Sequence, residues 1–378
     1  MRHPFRVPVF LLTILCGLVL LGCTAADVPS PTATAAVASA SASATTIAQA
    51  TATMPPPPTA TATVEPTVTT TRMPAPTLPP PTVTATPDPF AQWTIESLRQ
   101  RSYGGGSITV GDLLYQDEQI ERYAIRYPSD GLSISGILTR PRGEGPFPVL
   151  LLNHGYYDPA RYVSGDGTWR AANTFASQGY LTIASDYRNY AGSDRGPNEF
   201  RMGYVVDVMN LLYDLPTLPE GWAETARVGL WGHSMGGGVS INVVALAGTR
   251  VDGAVLYGAM SGDMADATRH VMAMWGRSDF GEPFDQLGGP DAQPDGYARM
   301  SAINYLDPSQ AALSIHHGTA DEQVPYPWSE KLYERALSAG QEVEFFAYPD
   351  TLHNFTGDAW SLFMTRCLDF YARTLGGD

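Results

Sequence analysis

Cysteine is almost absent from this chain, with 3 in 378 residues, at positions 16, 23 and 367. Cys16 and Cys23 fall in or beside an N-terminal leader. The folding region therefore holds Cys367 alone, and no intramolecular disulfide can staple it. Cys367 lies in the apolar helical stretch Leu362 to Leu375 and reads as a buried filler. Basic residues are also few. Lys and Arg number 23 against 38 Asp and Glu, and the net charge of −15 argues against a nucleic-acid partner. Long apolar runs are lacking apart from Val7 to Leu21, which follows Arg2, His3 and Arg6. That run is short for a membrane span and has the pattern of a secretory signal.

The leader ends Leu20-Leu21-Gly22-Cys23, which resembles a bacterial lipobox. The resemblance implies a signal peptide over 1–22 and a lipid on Cys23, with the rest of the protein exported and tethered to the cell envelope. Charge then disappears almost entirely: Asp27, Glu65 and Arg72 are the only charged residues between Cys23 and Asp88. Thr, Ala, Pro, Ser and Val cannot bury a core, so residues 23–90 read as a disordered stalk. As a coil it reaches about 45 Å, and more where Pro55 to Pro58 and Pro79 to Pro81 extend it.

Residues 91–378 are enough for one domain. Their most informative stretch is Gly232-His233-Ser234-Met235-Gly236, between the apolar run Val228 to Trp231 and the helical segment Gly237 to Leu246. Strand, sharp turn with a central serine, then helix is the context of a nucleophile elbow. The turn needs glycine at its flanks. It exposes the serine oxygen above a helix N-terminus, whose free N–H groups suit a developing oxyanion. Upstream, the strand Pro148 to Asn153 runs into His154-Gly155-Tyr156, where a second oxyanion donor is expected. The two donors are then the backbone N–H groups of Met235 and Tyr156.

Downstream, the strand Ala312 to His316 leads into His317-Gly318-Thr319-Ala320-Asp321-Glu322-Gln323-Val324-Pro325, and the strand Val343 to Tyr348 leads into Pro349-Asp350-Thr351-Leu352-His353. A serine hydroxyl is a weak nucleophile until a base takes its proton. His353 is the candidate base, and Asp321 the carboxylate that orients it and stabilises its charged form. Glu322, Asp350, Asp263 and Asp266 are alternative acids. His316 and His317 read as structural, the end of that strand being within reach of the loop that holds Asp321. They lack carboxylates at metal-ligand spacing, so neither a metal nor another cofactor is implied. His233 is expected to pack beside the elbow, and Arg188 to brace a loop.

The order Ser234, Asp321, His353 is that of the α/β-hydrolases. With Gly232-His233-Ser234-Met235-Gly236-Gly237, His317-Gly318-x-x-Asp321-x-x-Val324-Pro325, Asp350-x-x-His353 and Asp186-Tyr187-Arg188, the region from about Glu121 onward resembles the catalytic domain of the prolyl oligopeptidase family of serine peptidases. The resemblance implies an α/β-hydrolase fold and a serine hydrolase cleaving carboxylic ester or amide bonds. Relatives often carry Asp-x-Arg-Gly-x-Gly-x-Ser after Asp186. Here Asn189 and Ala191 replace the glycines, and Asn tolerates the left-handed backbone. His154-Gly155-Tyr156-Tyr157 departs from the His-Gly-Gly-Pro common in the peptidases, and no propeller segment separates the stalk from the domain. Both favour a compact esterase acting on a small ester, with a short-peptide hydrolase as the alternative and a non-catalytic surface binding protein behind it.

Alternation in Ile120 to Tyr127 and Leu132 to Thr139, around a Ser129-Asp130-Gly131 turn, predicts an antiparallel hairpin at the sheet edge. Beyond it strands and helices alternate, with helices expected over Trp169 to Gln178 and Met202 to Leu212. That predicts a mainly parallel sheet with helices on both faces. Residues 262–306 are long for a connection and read as a helical cap over the site. Their Met264, Met272, Met274, Trp275, Phe280, Phe284, Tyr297 and Met300 suit either an adaptable apolar lining or simple packing.

Overall fold

The computed structural model describes residues 88–376 apart from 276–280 and 308–309. The signal peptide, Cys23 and all but the last residues of the stalk lie outside the described residues. Those that are described belong to one compact unit, Pro81–Asp378.

Nine strands among them form one sheet: β1 (Thr109–Gln116), β2 (Ile120–Ser129), β3 (Leu132–Pro141), β4 (Phe147–Asn153), β5 (Leu181–Ser185), β6 (Ala223–His233), β7 (Gly253–Tyr257), β8 (Ala312–Gly318) and β9 (Val343–Tyr348). The spatial order is β1-β2-β3-β5-β4-β6-β7-β8-β9. Pairing is antiparallel from β1 to β5 and parallel from β5 to β9, as the pattern of hairpin followed by alternation predicts. The hairpin turn is two residues, Asp130 and Gly131, with φ of 53° and 80°. Two positive φ angles in a two-residue loop match the strand twist. β1 is the element the pattern did not announce. It lies at the edge, and nearly all its residues are exposed, so no alternation marks it.

Helices cover both faces: α1 (Ile95–Gln100), α2 (Trp169–Ser177), α3 (Met202–Asp214), α4 (Met235–Ala247), α5 (Met264–Trp275), α6 (Gly281–Leu287), α7 (Pro294–Met300), α8 (Pro327–Ser338) and α9 (Gly357–Thr374). Thr94 starts α1 by accepting the Ser97 N–H at 3.2 Å, an N-cap that satisfies one orphan donor. The central strands are apolar without a break because both faces are covered. In β4, Val149 and Leu151 join one core with α3, α4 and α8, while Leu150 and Leu152 join the other with α2 and α9. Cys367 is fully buried on α9 in that second core. The stretch 262–306 contains α5, α6 and α7. Phe284, Tyr297 and Met300 are buried as packing, and Met274 is exposed. Met264 is also buried and borders a cavity.

Candidate active site

Parallel strands end at the same edge of a sheet, so the loops after β4, β6, β7, β8 and β9 converge. Ser234 follows β6 with φ 55° and ψ −119°, a backbone region that non-glycine residues seldom occupy. The turn is held from outside its own strand and helix. Ser234 N–H donates to Tyr257 O at 2.9 Å, and Ser234 O accepts from Met260 N–H at 2.9 Å. A Cβ on Gly236 would lie 2.0 Å from Asn153 O, so only glycine lets the start of α4 meet the end of β4. That approach brings the 154–157 loop to the serine.

His353, in the loop after β9, is buried, and its Nδ1 lies 2.7 Å from Asp321 Oδ2. The Asp321 side chain is fully buried. Its Oδ1 accepts the backbone N–H groups of Gln323 and Val324, each at 2.8 Å. Burial pushes this carboxyl up, but hydrogen bonds from His317, His353 and Val324 outweigh it and hold the group well below the usual carboxylate range. Ser234, His233, His353, Gly155, Tyr156, Tyr157, Met260 and Val324 border one cavity of about 200 Å³. Ser234 Oγ has no hydrogen-bond partner among the described residues. It shares the cavity with the His353 ring, and in substrate-free enzymes the serine–histidine bond is commonly long.

Of the two expected oxyanion donors, Tyr156 lines this cavity, and Met235 follows Ser234 directly and lines the smaller cavity described below. Met235 opens α4, so its N–H has no partner within the helix. Tyr156 comes from the loop after β4. The loop bearing Tyr156 is anchored by the His154 ring, which is buried and stacked between Tyr162 and Tyr187 at centroid distances of 4.5 and 4.4 Å. Burial lowers the His154 pKa, so the ring is held neutral. Asp186 supports the same region, accepting from Tyr162 at 3.0 Å and from Ser135 and Ser164 at 2.6 Å. Asn189 and Ala191 have φ of 72° and 45°, so the left-handed turn survives without its glycines. Arg188 braces this turn as expected, paired with buried Asp207 at 2.8 Å.

The alternative acids are placed elsewhere. Asp350 is a turn residue with φ 52°. Asp263 and Asp266 both bind Lys331, at 2.8 and 2.7 Å. Glu322 does touch the base, but through the backbone, accepting the His353 N–H at 3.1 Å. His233 is stacked on Tyr257 and lies 4.7 Å from the His353 ring. Burial, aided by His353, pushes His233 down to about 3. His316 is turned away, bonded to Ser314 and Tyr348 at 2.8 and 2.9 Å. Gly258 went unremarked in the sequence. It packs against the acid–base pair, and its signal is only its place at the end of a strand neighbouring the elbow.

A smaller cavity of about 40 Å³ adjoins at Met260. Its walls are largely apolar and include Met235, Val239, Met264 and Val271.

Strand order, elbow and loop placement define an α/β-hydrolase. Residues 169–378 match the model of the prolyl oligopeptidase family, and the chain belongs to that family. It is 27% identical over 217 residues to the lysophosphatidylserine lipase ABHD12 of Danio rerio, a match covering 54% of this chain and 52% of the relative. The chain thus spans about half the length of that protein. It is 24% identical over 246 residues to the uncharacterized peptidase YtmA of Bacillus subtilis (strain 168), covering 63% of this chain and 88% of the relative. Among solved structures, acetyl xylan esterase 1 from Thermoanaerobacterium sp. JW/SL YS485 superposes with a TM-score of 0.55 at 18% identity, covering 75% of this chain and 92% of that one. At that identity the likeness is one of fold.

Proposed function

We propose that this protein is a serine hydrolase that cleaves carboxylic esters, and secondarily amides, through an acyl-enzyme. The observation that carries the reading is His353, 2.7 Å from buried Asp321, sharing one cavity with a serine on a strained elbow. Ser234 Oγ attacks the substrate carbonyl while His353 Nε2 takes its proton. The oxyanion points to the N–H groups of Met235 and Tyr156. On collapse the alcohol or amine leaves with the proton from His353. Water then adds to the acyl-enzyme by the same route, freeing the acid and Ser234.

The small apolar cavity favours an ester of a short acyl group. A volume of about 40 Å³ admits roughly three waters' worth of matter, which suits a chain of about two to four carbons. The relatives' printed names point both ways, to a lipase and to a peptidase. The test is turnover of p-nitrophenyl esters of rising acyl length beside aminoacyl and X-Pro p-nitroanilides, with Ser234→Ala as control. Ester turnover peaking at short chains and lost in the variant supports the reading. Comparable anilide turnover makes the protein a peptidase. No turnover of either by folded protein overturns both and leaves the binding-protein alternative.

The lipobox-like Leu20 to Cys23 and the following uncharged stretch support export and a lipid anchor on Cys23, with the catalytic unit outside the cytoplasm. Cys23→Ala in the native host is expected to abolish fatty-acid labelling and move the protein out of the membrane fraction. Unchanged labelling sinks the anchor.

A further inference from the structure

Asp321 Oδ2 is bound by two histidines. Besides His353 Nδ1 at 2.7 Å, the Nε2 of His317 lies 3.0 Å from the same oxygen. His317 is fully buried at the end of β8, four residues before the carboxylate. Its Nε2 is also 3.2 Å from Val324 O, so this nitrogen faces two atoms that can only accept. Chemistry then assigns its hydrogen. Nε2 carries the proton and donates to the carboxylate. Its Nδ1 lies 2.7 Å from Ser329 Oγ on α8, and in the neutral ring that nitrogen accepts the serine hydroxyl proton. Tyr326 stands edge-on to the ring at 5.5 Å and helps fix its plane.

We infer that His317 is a positioning residue for the proposed reaction: by occupying one lone pair of Asp321 Oδ2, it aims the other at His353 Nδ1. The inference rests on the hydrolase reading above. With two backbone N–H groups on Oδ1, the carboxylate receives four donors and has no free rotation. A carboxylate lacking the His317 donor keeps the two bonds to Oδ1 but can swing Oδ2 about them. The His353 ring would then be held less well in the plane fixed by its bond to Asp321. The chain Ser329 Oγ–His317–Asp321–His353 thus extends the orienting network from the base to a surface helix. A ring that served only to fill the core would not need a donor on the acid and an acceptor toward α8.

The test compares His317→Leu, which removes the donor, with His317→Gln, whose amide nitrogen reaches the position of Nε2. Turnover of the preferred p-nitrophenyl ester is read together with the far-downfield proton resonance of the His353 Nδ1–H, assigned by its loss in Asp321→Asn. In His317→Leu we expect kcat to fall about 10- to 100-fold with KM within about twofold, and the resonance to move upfield or broaden away. In His317→Gln we expect kcat within about threefold of wild type and the resonance restored. Ser329→Ala, which removes only the far end of the chain, is expected to lower kcat a few-fold, about three to ten. If His317→Leu does not fold, Ser329→Ala decides, and an unchanged resonance and kcat there overturns the inference. A folded His317→Leu with wild-type kcat and resonance and only a lowered Tm also overturns it. If wild-type protein turns over no substrate, the hydrolase reading fails. The resonance in the two histidine variants still decides whether His317 sets the Asp321–His353 geometry.

Discussion

Gly258 lies against His353 so closely that a Cβ on it would stand 3.2 Å from both Nδ1 and Cε1 of the imidazole, and 3.3 Å from Asp321 Oδ2. Its φ is +48°, which adds backbone strain to any side chain. Gly258→Ala is therefore expected to tilt the base away from its acid. The variant should fold, with stability lowered by about 1–2 kcal/mol, and kcat should fall about 10- to 100-fold with little change in KM. Steady-state kinetics beside a thermal melt checks this. A wild-type kcat would mean the ring position is not limiting.

Arg188 and Asp207 show the opposite case, a pair that holds structure at a distance from the proposed chemistry. The guanidinium is nearly buried and the carboxylate wholly so, with Nη2 2.8 Å from Oδ1, and Asp207 also accepts the Arg188 backbone N–H at 2.8 Å. Removing one member leaves a buried charge without its partner. Asp207→Ala is expected to cost about 3–5 kcal/mol of stability, measured by urea unfolding. Arg188→Lys should lose much of the same amount, because an ammonium cannot reproduce the forked contact.

Most of the fold was legible because its strands are covered on both faces, which turns them into unbroken apolar runs such as Val149 to Leu152. The elbow, the order of the three site residues and the β2–β3 hairpin were legible through local chemistry, a glycine-flanked turn and alternation, but the hairpin's expected place at the edge is taken by β1. What was not legible depends on contacts between distant segments. β1 is exposed and carries no pattern. Gly258 looks like any glycine until β7 is laid beside β8 and the loops after β8 and β9 bring Asp321 and His353 against it. His317 was readable as structural, but its bond to the same oxygen that holds His353 depends on how the 318–325 loop turns back. The apolar residues of 262–306 fit lining and packing equally well by composition alone. The structure divides them: Phe284, Tyr297 and Met300 are buried as packing, and Met264 of α5 borders the small cavity.

Acid stability should report the buried histidines before the carboxylates. His233 and His316 are pushed down to about 3 from an ordinary value of 6.5, His233 by burial and His353, His316 by burial and Arg366. Between those values the unfolded chain binds protons that the folded one refuses, so stability falls as pH drops below about 6.5. Asp321 acts lower. Its folded value lies below the ordinary 3.8, so its contribution is present above that pH and is lost as pH falls further. The melting temperature is expected to decline from pH 7 to pH 5. His316→Gln should lower the melting temperature at pH 7 yet flatten the slope. An unchanged slope would remove His316 as a cause.

The short-acyl reading makes a further demand on the small cavity. Met264→Ala is expected to enlarge it and shift the preferred ester by about two carbons toward longer chains. Val239→Phe should fill it and cut kcat/KM for butyrate esters about 10-fold or more while sparing acetate. Parallel chain-length profiles check both, and identical profiles in all three proteins would place the acyl group elsewhere.

Two of the backbone bonds that hold Ser234 come from the end of β7 and the chain leading out of it, at Tyr257 and Met260. That same chain continues, a few residues on, into α5. The nucleophile is thus seated on two supports at once, its own helix, whose Gly237 and Gly238 N–H groups donate to its carbonyl, and the root of the segment that carries α5. Variation along α5 reshapes the smaller cavity at Met264 and Val271 without touching either support, whereas variation at residues 257–260 acts on that cavity and on the nucleophile in one stroke.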